Sequence, residues 1–154
     1  MRELMVSTLV AATQEVFRTM VAQELCDEAP VPGDALRPKS NVVGTVGFTG
    51  SERGLVAFYS TLEAANSIAG AMLGIDPSEV NGEMADAIGE VTNMIAGSFR
   101  TRMAEHGDAW AISVPTVTVG SDFYTKYVFD ADRVLLPFRM GGSPLYVELI
   151  LMKR

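Results

Sequence analysis

The segment DAIGEVTN, residues 86–93, places two carboxylates and an amide at spacings that bring them together on a helix. At 3.6 residues per turn, Asp86, Glu90 and Asn93 fall within roughly 60° of one another. Paired carboxylates are the acid and base of glycosidases. Two carboxylates one turn apart on an exposed face lack the unequal environments that separate an acid from a base, which disfavours that chemistry. The polar face therefore remains either a site or a solvated helix surface.

The opposite side of the same helix is apolar and predicts a packed face. Its apolar positions are Met84, Ile88, Val91, Ile95 and Phe99. Glycines lie on or beside the polar face, at Gly82, Gly89 and Gly97. Glycine costs about 1 kcal/mol in a helix interior, and Asn is also a poor helix former. These choices indicate that something other than helix stability selected the polar face.

Helical patterns and turn signals predict the elements that position this face. Apolar periodicity predicts a first helix over residues 3–24, followed by a Pro-punctuated loop or irregular strand over 27–40. Ser60 and Glu63 form a capping-box pattern for a helix over 61–73 that Gly74 closes. Asp76 and Pro77 then predict the start of the long helix. That helix ends near His106, before Gly107.

Runs of alternating or continuous apolar residues predict the strands. Two of them, residues 41–50 and 54–60, read as a hairpin. The remaining predicted strands form a meander over residues 109–120, 123–130, 133–140 and 145–152. The order of elements favours one α+β domain over residues 1–154, with long helices packed on a mostly antiparallel sheet.

Composition excludes several classes of function. The chain has 154 residues, 48% of them hydrophobic, and a net charge of −7, which argues against disorder and disfavours a nucleic-acid or anionic-membrane partner. Charged and amide residues interrupt the N-terminal apolar run, so we expect a cytoplasmic protein. The single cysteine and single histidine give no metal-ligand set. Gly44, Gly47 and Gly50 do not match a phosphate-binding loop and fit a twisted or bulged hairpin instead.

Asp86, Glu90 and Asn93 form the pattern DxxxExxN, which is followed about twenty residues later by Pro115. In this pattern the chain resembles the CheC/CheX/FliY phosphatase family of bacterial chemotaxis. The resemblance extends in order through ATQEVFRTM, VGFTGSERGLVAFYS, AMLG, DAIGEVTNMIAGSF and ISVPTVTVG. Members with two sites carry a second ExxN in the first helix, but here no Asn stands three residues after Glu15. The chain is therefore similar to the stand-alone, single-site CheX-like domains.

This resemblance implies a phosphatase that acts on a phosphorylated CheY-type response regulator. The phosphoryl group sits on an aspartate of the regulator, which carries its own Mg²⁺, so no metal or cofactor is expected on this chain. Asn93 would orient the attacking water, since an amide both donates and accepts hydrogen bonds. Glu90 would pair with a lysine of the regulator. Gly89 and Gly97 would admit the partner's backbone, and Asp86 would either cap the interaction or order the helix.

Two further expectations follow from the resemblance. Family members join their sheets edge to edge as dimers, and the apolar strand LYVELILM would need cover, so a homodimer is expected. The alternative function is a non-catalytic scaffold of the same fold that binds a regulator without hydrolysing it. An enzyme acting on a small ligand ranks last, because the sequence offers no nucleophile motif, metal set or phosphate loop for it.

Overall fold

A computed structural model describes residues 1–32 and 38–153. Its helices are α1 (Arg2–Val16), which continues as a π-helical turn over Phe17–Val21, α2 (Leu62–Leu73) and α3 (Met84–Glu105). Its strands are β1 (Cys26–Asp27), β2 (Val31–Pro32), β3 (Ser40–Thr49), β4 (Arg53–Ser60), β5 (Ala111–Ile112), β6 (Thr116–Phe123), β7 (Ala131–Met140) and β8 (Ser143–Met152). Residues 33–37 of the predicted loop lie outside the described part of the chain.

The strands form one sheet whose order is β1-β7-β8-β4-β3-β5, with β2 also on β7 and β6 also on β3. Every strand pairing among the described residues is antiparallel. The α+β prediction is confirmed. The predicted meander is wrong, because β6 pairs with β3 and not with its successor. The predicted strand over 123–130 is also absent, since β6 ends at Phe123 and the next strand begins at Ala131.

Strand β8, which contains LYVELILM, lies inside the sheet. It pairs with β7 on one side and with β4 on the other, from Gly54↔Leu151 to Tyr59↔Tyr146. The prediction that this apolar strand needs cover from a second copy is therefore wrong, because β4 and β7 of the same chain cover its two edges. Its near-continuous apolar run has a different cause, because both faces of the strand are covered.

One face of the sheet carries the helices. The apolar face predicted for the long helix is buried as expected, with Ile88, Val91 and Ile95 fully inaccessible to solvent. It packs into the same core as buried residues of α1, α2 and the helix-facing side of the strands. Because α3 contacts α1, α2 and β3, its orientation is fixed from several sides.

The opposite face of the sheet contains a buried polar network. The Glu148 carboxylate, 1% exposed, accepts hydrogen bonds from Tyr59 Oη at 2.5 Å and Arg133 Nε at 2.6 Å. The Arg133 guanidinium also lies 5.2 Å from the ring centre of Tyr127. Burial raises the pKa of both tyrosine hydroxyls above the ordinary value, so they stay protonated donors. This network fastens the segment that links β6 to β7 onto the sheet.

The helix boundaries follow capping chemistry with two corrections. Thr61, and not Ser60, caps α2, because Thr61 Oγ1 accepts a hydrogen bond from the Ala64 N–H at 3.1 Å. Gly74 closes α2 in the left-handed conformation, as predicted. Asp76 begins only the short 3₁₀ turn Pro77–Glu79, and the long helix starts later, at Met84.

Replacing the α2 cap gives a direct test of this assignment. Thr61→Ala should lower the free energy of unfolding by about 1 kcal/mol, because the Ala64 N–H loses its partner. Ser60→Ala is the matched control: its hydroxyl is buried and has no hydrogen-bond partner among the described residues, so its removal should cost nothing. Urea denaturation followed by circular dichroism measures both. Equal losses for the two variants would contradict the assignment.

The buried ion pair should be far more sensitive than an exposed one. Arg133→Leu leaves the Glu148 carboxylate buried without its cation and should lower the free energy of unfolding by about 3 kcal/mol. Arg133→Leu/Glu148→Leu should recover much of that loss, because the unpaired charge is gone. The control is Arg18→Leu, which breaks an exposed pair with Glu24 and should leave the urea midpoint unchanged. A double variant less stable than Arg133→Leu would contradict this account.

Candidate functional site

Helix α3 presents the predicted polar residues along its outer side. Asp86 and Glu90 are exposed, and Asn93, one turn after Glu90, is half-buried. The carboxylates thus reach into solvent, whereas the amide lies where the open face meets the packed face. A helix face of this kind suits contact with another macromolecule better than an enclosed small ligand, which binds in concave pockets.

The turn that carries Glu90 and Asn93 lies directly on strand β3. Thr92, between the two site residues, is fully buried, and its Oγ1 donates a hydrogen bond to the Ile88 carbonyl oxygen at 2.7 Å. Its side chain rests on Gly44. A Cβ atom at Gly44 would overlap Thr92 Oγ1 and lie 3.0 Å from Thr92 Cβ. Gly44 therefore serves this close approach, a role that differs from the predicted twist or bulge of the hairpin.

The two glycines predicted to admit a partner have different surroundings. Gly89 is buried, and a Cβ atom there would lie 3.3 Å from Val117 Cγ2 and 3.9 Å from Pro115 Cγ. The close approach at Gly89 is thus made by this chain's own strand β6, and the contact of Gly89 with a partner stays a prediction. A Cβ atom at Gly97 would have no atom within 4 Å, so that position is open to a partner.

These contacts give Pro115 a physical role in the spaced motif. The proline immediately precedes β6 and reaches the helix beside Gly89, one residue before Glu90. The distant Pro and the acid–amide turn therefore meet in space. Sequence reasoning identified Pro115 only through the resemblance and missed Thr92, Gly44 and Val117. The small residue in the middle of β3 was the available signal for a helix packed closely on that strand.

The stretch of chain that leads into and carries the site is acidic. Residues 54–99 contain no Lys or Arg, and all six of their carboxylate side chains are exposed: Glu63, Asp76, Glu79, Glu83, Asp86 and Glu90. The backbone N–H of Asn81 donates to Glu83 at 3.0 Å and lowers the pKa of that carboxyl from its ordinary value. The site therefore carries negative charge that complements a cationic partner surface.

The first helix lacks the equivalent arrangement. Glu15 of α1 forms an ion pair with Arg102 of α3. Arg18, three residues after Glu15, binds Glu24 at 2.8 Å. The acid of α1 is therefore held by a cation of the same chain.

The described residues contain no group of three or more His, Cys, Asp or Glu side chains that could hold a metal ion. His106 is exposed at the end of α3, which fits its predicted capping or surface role. Within residues 1–32 and 38–153, none of the helices combines the length and apolar character needed to cross a membrane.

Comparison with known proteins agrees with this fold. The architecture is that of chemotaxis proteins with the CheC-like fold. Residues 42–139 match the family model "Chemotaxis phosphatase CheX", and the chain belongs to that family. The resemblance drawn from the sequence is confirmed.

Individual relatives cover between 79% and 96% of the chain. The CheY-P phosphatase CheX of Thermotoga maritima is 26% identical over 122 residues, which cover 79% of each chain. A crystal structure of CheX from Desulfovibrio desulfuricans is 28% identical, with a TM-score of 0.87 over 96% of this chain and 98% of that one. The structure of a CheX–CheY–BeF3–Mg²⁺ complex from Borrelia burgdorferi has the same fold at 22% identity, with a TM-score of 0.80 over 96% and 97% of the two chains.

Proposed function

We propose that this chain hydrolyses the phospho-aspartate of a CheY-type response regulator. The observation that carries the proposal is the exposure of Glu90 beside Asn93 on a helix turn that is tightly packed from behind. Family membership and a relative named CheY-P phosphatase support the reaction. A protein of the same fold forms a complex with CheY, BeF3 and Mg²⁺, which supports the kind of partner.

Asn93 is proposed to orient the attacking water. Phosphoryl transfer needs little covalent help from the protein and depends mainly on placing the nucleophile in line. An amide suits this task because it accepts one hydrogen bond from the water and donates another to a neighbouring oxygen. Half-burial of Asn93 restricts its side chain, which favours a defined orientation. The metal belongs to the regulator, where Mg²⁺ neutralises charge on the phosphoryl oxygens.

Glu90 is proposed as the docking contact. Its carboxylate is exposed, one helical turn from that of Asp86, and residues 54–99 contain no Lys or Arg. A lysine of the regulator would give it a partner and fix the docked geometry. Asp86, one turn earlier, and Gly97, which is open to solvent, extend the same contact face.

Removing the amide should abolish most of the rate. Asn93→Ala is expected to lower kcat for phosphate release by roughly 100-fold, because the water loses its orienting group. The control is Asn66→Ala, a half-buried asparagine on α2, which should keep the parent rate. The assay uses a phosphorylated CheY-type regulator from the same organism, with Mg²⁺, and follows inorganic phosphate. Parent-like turnover by Asn93→Ala would overturn the proposed role.

Removing the acid should act mainly on docking. Glu90→Ala is expected to raise KM for the phosphorylated regulator by roughly tenfold, since one interfacial charge pair is lost. Glu105→Ala, at the far end of α3, is the matched control and should leave KM unchanged. The result that favours the scaffold alternative is regulator binding by the parent without any gain in phosphate release.

We also propose a homodimer formed along β6. This strand pairs with β3, exposes most of its side chains, and has an open second edge among the described residues. An uncovered strand of this length pairs readily with a second copy.

The oligomeric state can be tested on the edge itself. Val119→Lys places a charge on the exposed part of β6 and should yield a monomer, whereas Val128→Lys, in the following segment and 94% exposed, should not. Light scattering at tens of micromolar measures both. A monomeric parent, or a Val119→Lys variant that stays dimeric, would contradict this interface.

A further inference from the structure

Two backbone-level contacts hold the helix turn that carries Glu90 and Asn93. On one side Thr92 lies on Gly44 of β3, and on the other Gly89 lies against Val117 of β6. Because Gly44 and Gly89 have no side chain, the opposing residue in each contact lies directly on the backbone. The distance of α3 from the sheet at this turn is therefore set by backbone and by short, branched side chains that have few rotamers.

The helical positions of these residues place the contacts beside the amide. At 100° per residue, Thr92 lies about 60° to one side of Gly89, and Asn93 about 40° to the other. Asn93 is thus the first polar residue beyond the packed strip, and Glu90 lies further round, in solvent. A small rotation of α3 about its own axis, against β3 and β6, therefore moves the Asn93 amide directly.

The size of that movement decides its importance. A side-chain amide about 6 Å from the helix axis moves by about 1 Å when the helix rotates by roughly 10°. A misplacement of about 1 Å can cost a reaction 100-fold in rate. Glu90 tolerates the same rotation better, because its longer and exposed side chain can adjust to reach its partner.

From this geometry we infer that Gly44 and Thr92 are positioning residues, which set the height and rotation of α3 so that the Asn93 amide meets the attacking water. The inference rests on the proposed hydrolysis of a phospho-aspartate. It adds a prediction that the rate, and much less the docking, depends on a buried contact that touches neither the regulator nor the phosphoryl group.

A compensating pair of substitutions tests this assignment. Gly44→Ala places a methyl group onto Thr92 and should lower kcat by roughly 10- to 100-fold, with KM for the phosphorylated regulator within about threefold of the parent. Adding Thr92→Ala removes Oγ1, the atom that overlaps the new methyl group, and Cγ2, which lies 3.3 Å from it. The Thr92 Cβ atom stays 3.0 Å from the new methyl group, so Gly44→Ala/Thr92→Ala should recover part of kcat and exceed Gly44→Ala.

The matched control is Gly47→Ala in the same strand. A Cβ atom there meets Ser113 Oγ at 3.4 Å, an ordinary contact, so kcat should not change. If Gly44→Ala does not fold, Thr92→Val and Thr92→Leu replace it. The isosteric valine should keep the rate, and the longer leucine should lift the helix and lower kcat. The NMR signals of the Asn93 side-chain amide should shift in Gly44→Ala and move back toward their parent positions in the double variant, independently of turnover.

The outcomes separate this inference from the proposed function. A parent that releases no phosphate overturns the proposed function, whatever the variants do to the Asn93 signals. An active parent with a folded Gly44→Ala variant of unchanged kcat overturns the positioning role alone. A double variant as slow as Gly44→Ala, or a loss of rate seen equally in Gly47→Ala, also overturns it. Recovery of both kcat and the Asn93 signals in the double variant supports it.

Discussion

The pairing of β4 with β8 is the interaction on which the rest of the structure depends. It joins the hairpin β3–β4 to the hairpin β7–β8 over six residue pairs. An isolated hairpin is marginally stable in water, whereas the joined strands offer a face broad enough to hold three helices. The approach is close: a Cβ atom at Gly54 would overlap the Ile150 carbonyl oxygen. The core beneath α3 therefore forms only when β4 and β8 pair.

A structural feature could be predicted from the sequence when it depends on residues that are close together in the chain. The helix periods, the closing glycine of α2 and the first hairpin depend on neighbours within a few residues, and these predictions are confirmed. The strand order depends on pairs such as Gly54↔Leu151, which are nearly a hundred residues apart. Local sequence patterns do not predict such pairs. The run at 123–130 has strand-like composition, yet its aromatic side chains Tyr127 and Phe129 cover the sheet instead of extending it.

The candidate site likewise has a part that the sequence predicts and a part that it does not. Asp86, Glu90 and Asn93 share a face by helical geometry alone, so their grouping was predictable, and the resemblance added Pro115. Their support was not predictable, because Thr92 meets Gly44 and Gly89 meets Val117 only after the sheet has formed. Gly89 shows why a helical wheel alone does not predict what contacts a glycine. It lies beside the polar face on the wheel, yet it is buried against Val117 of the same chain.

The ion pair between Glu15 and Arg102 bears on how this protein can change over evolutionary time. Arg18 stands three residues after Glu15, at the position that the asparagine of a second ExxN would occupy. An asparagine there would still leave the Glu15 carboxylate held by α3, and it would release Glu24 from its own cation. Replacing Arg18 by Asn would therefore not by itself give the first helix an unpaired acid, because Arg102 of α3 would still contact the Glu15 carboxylate.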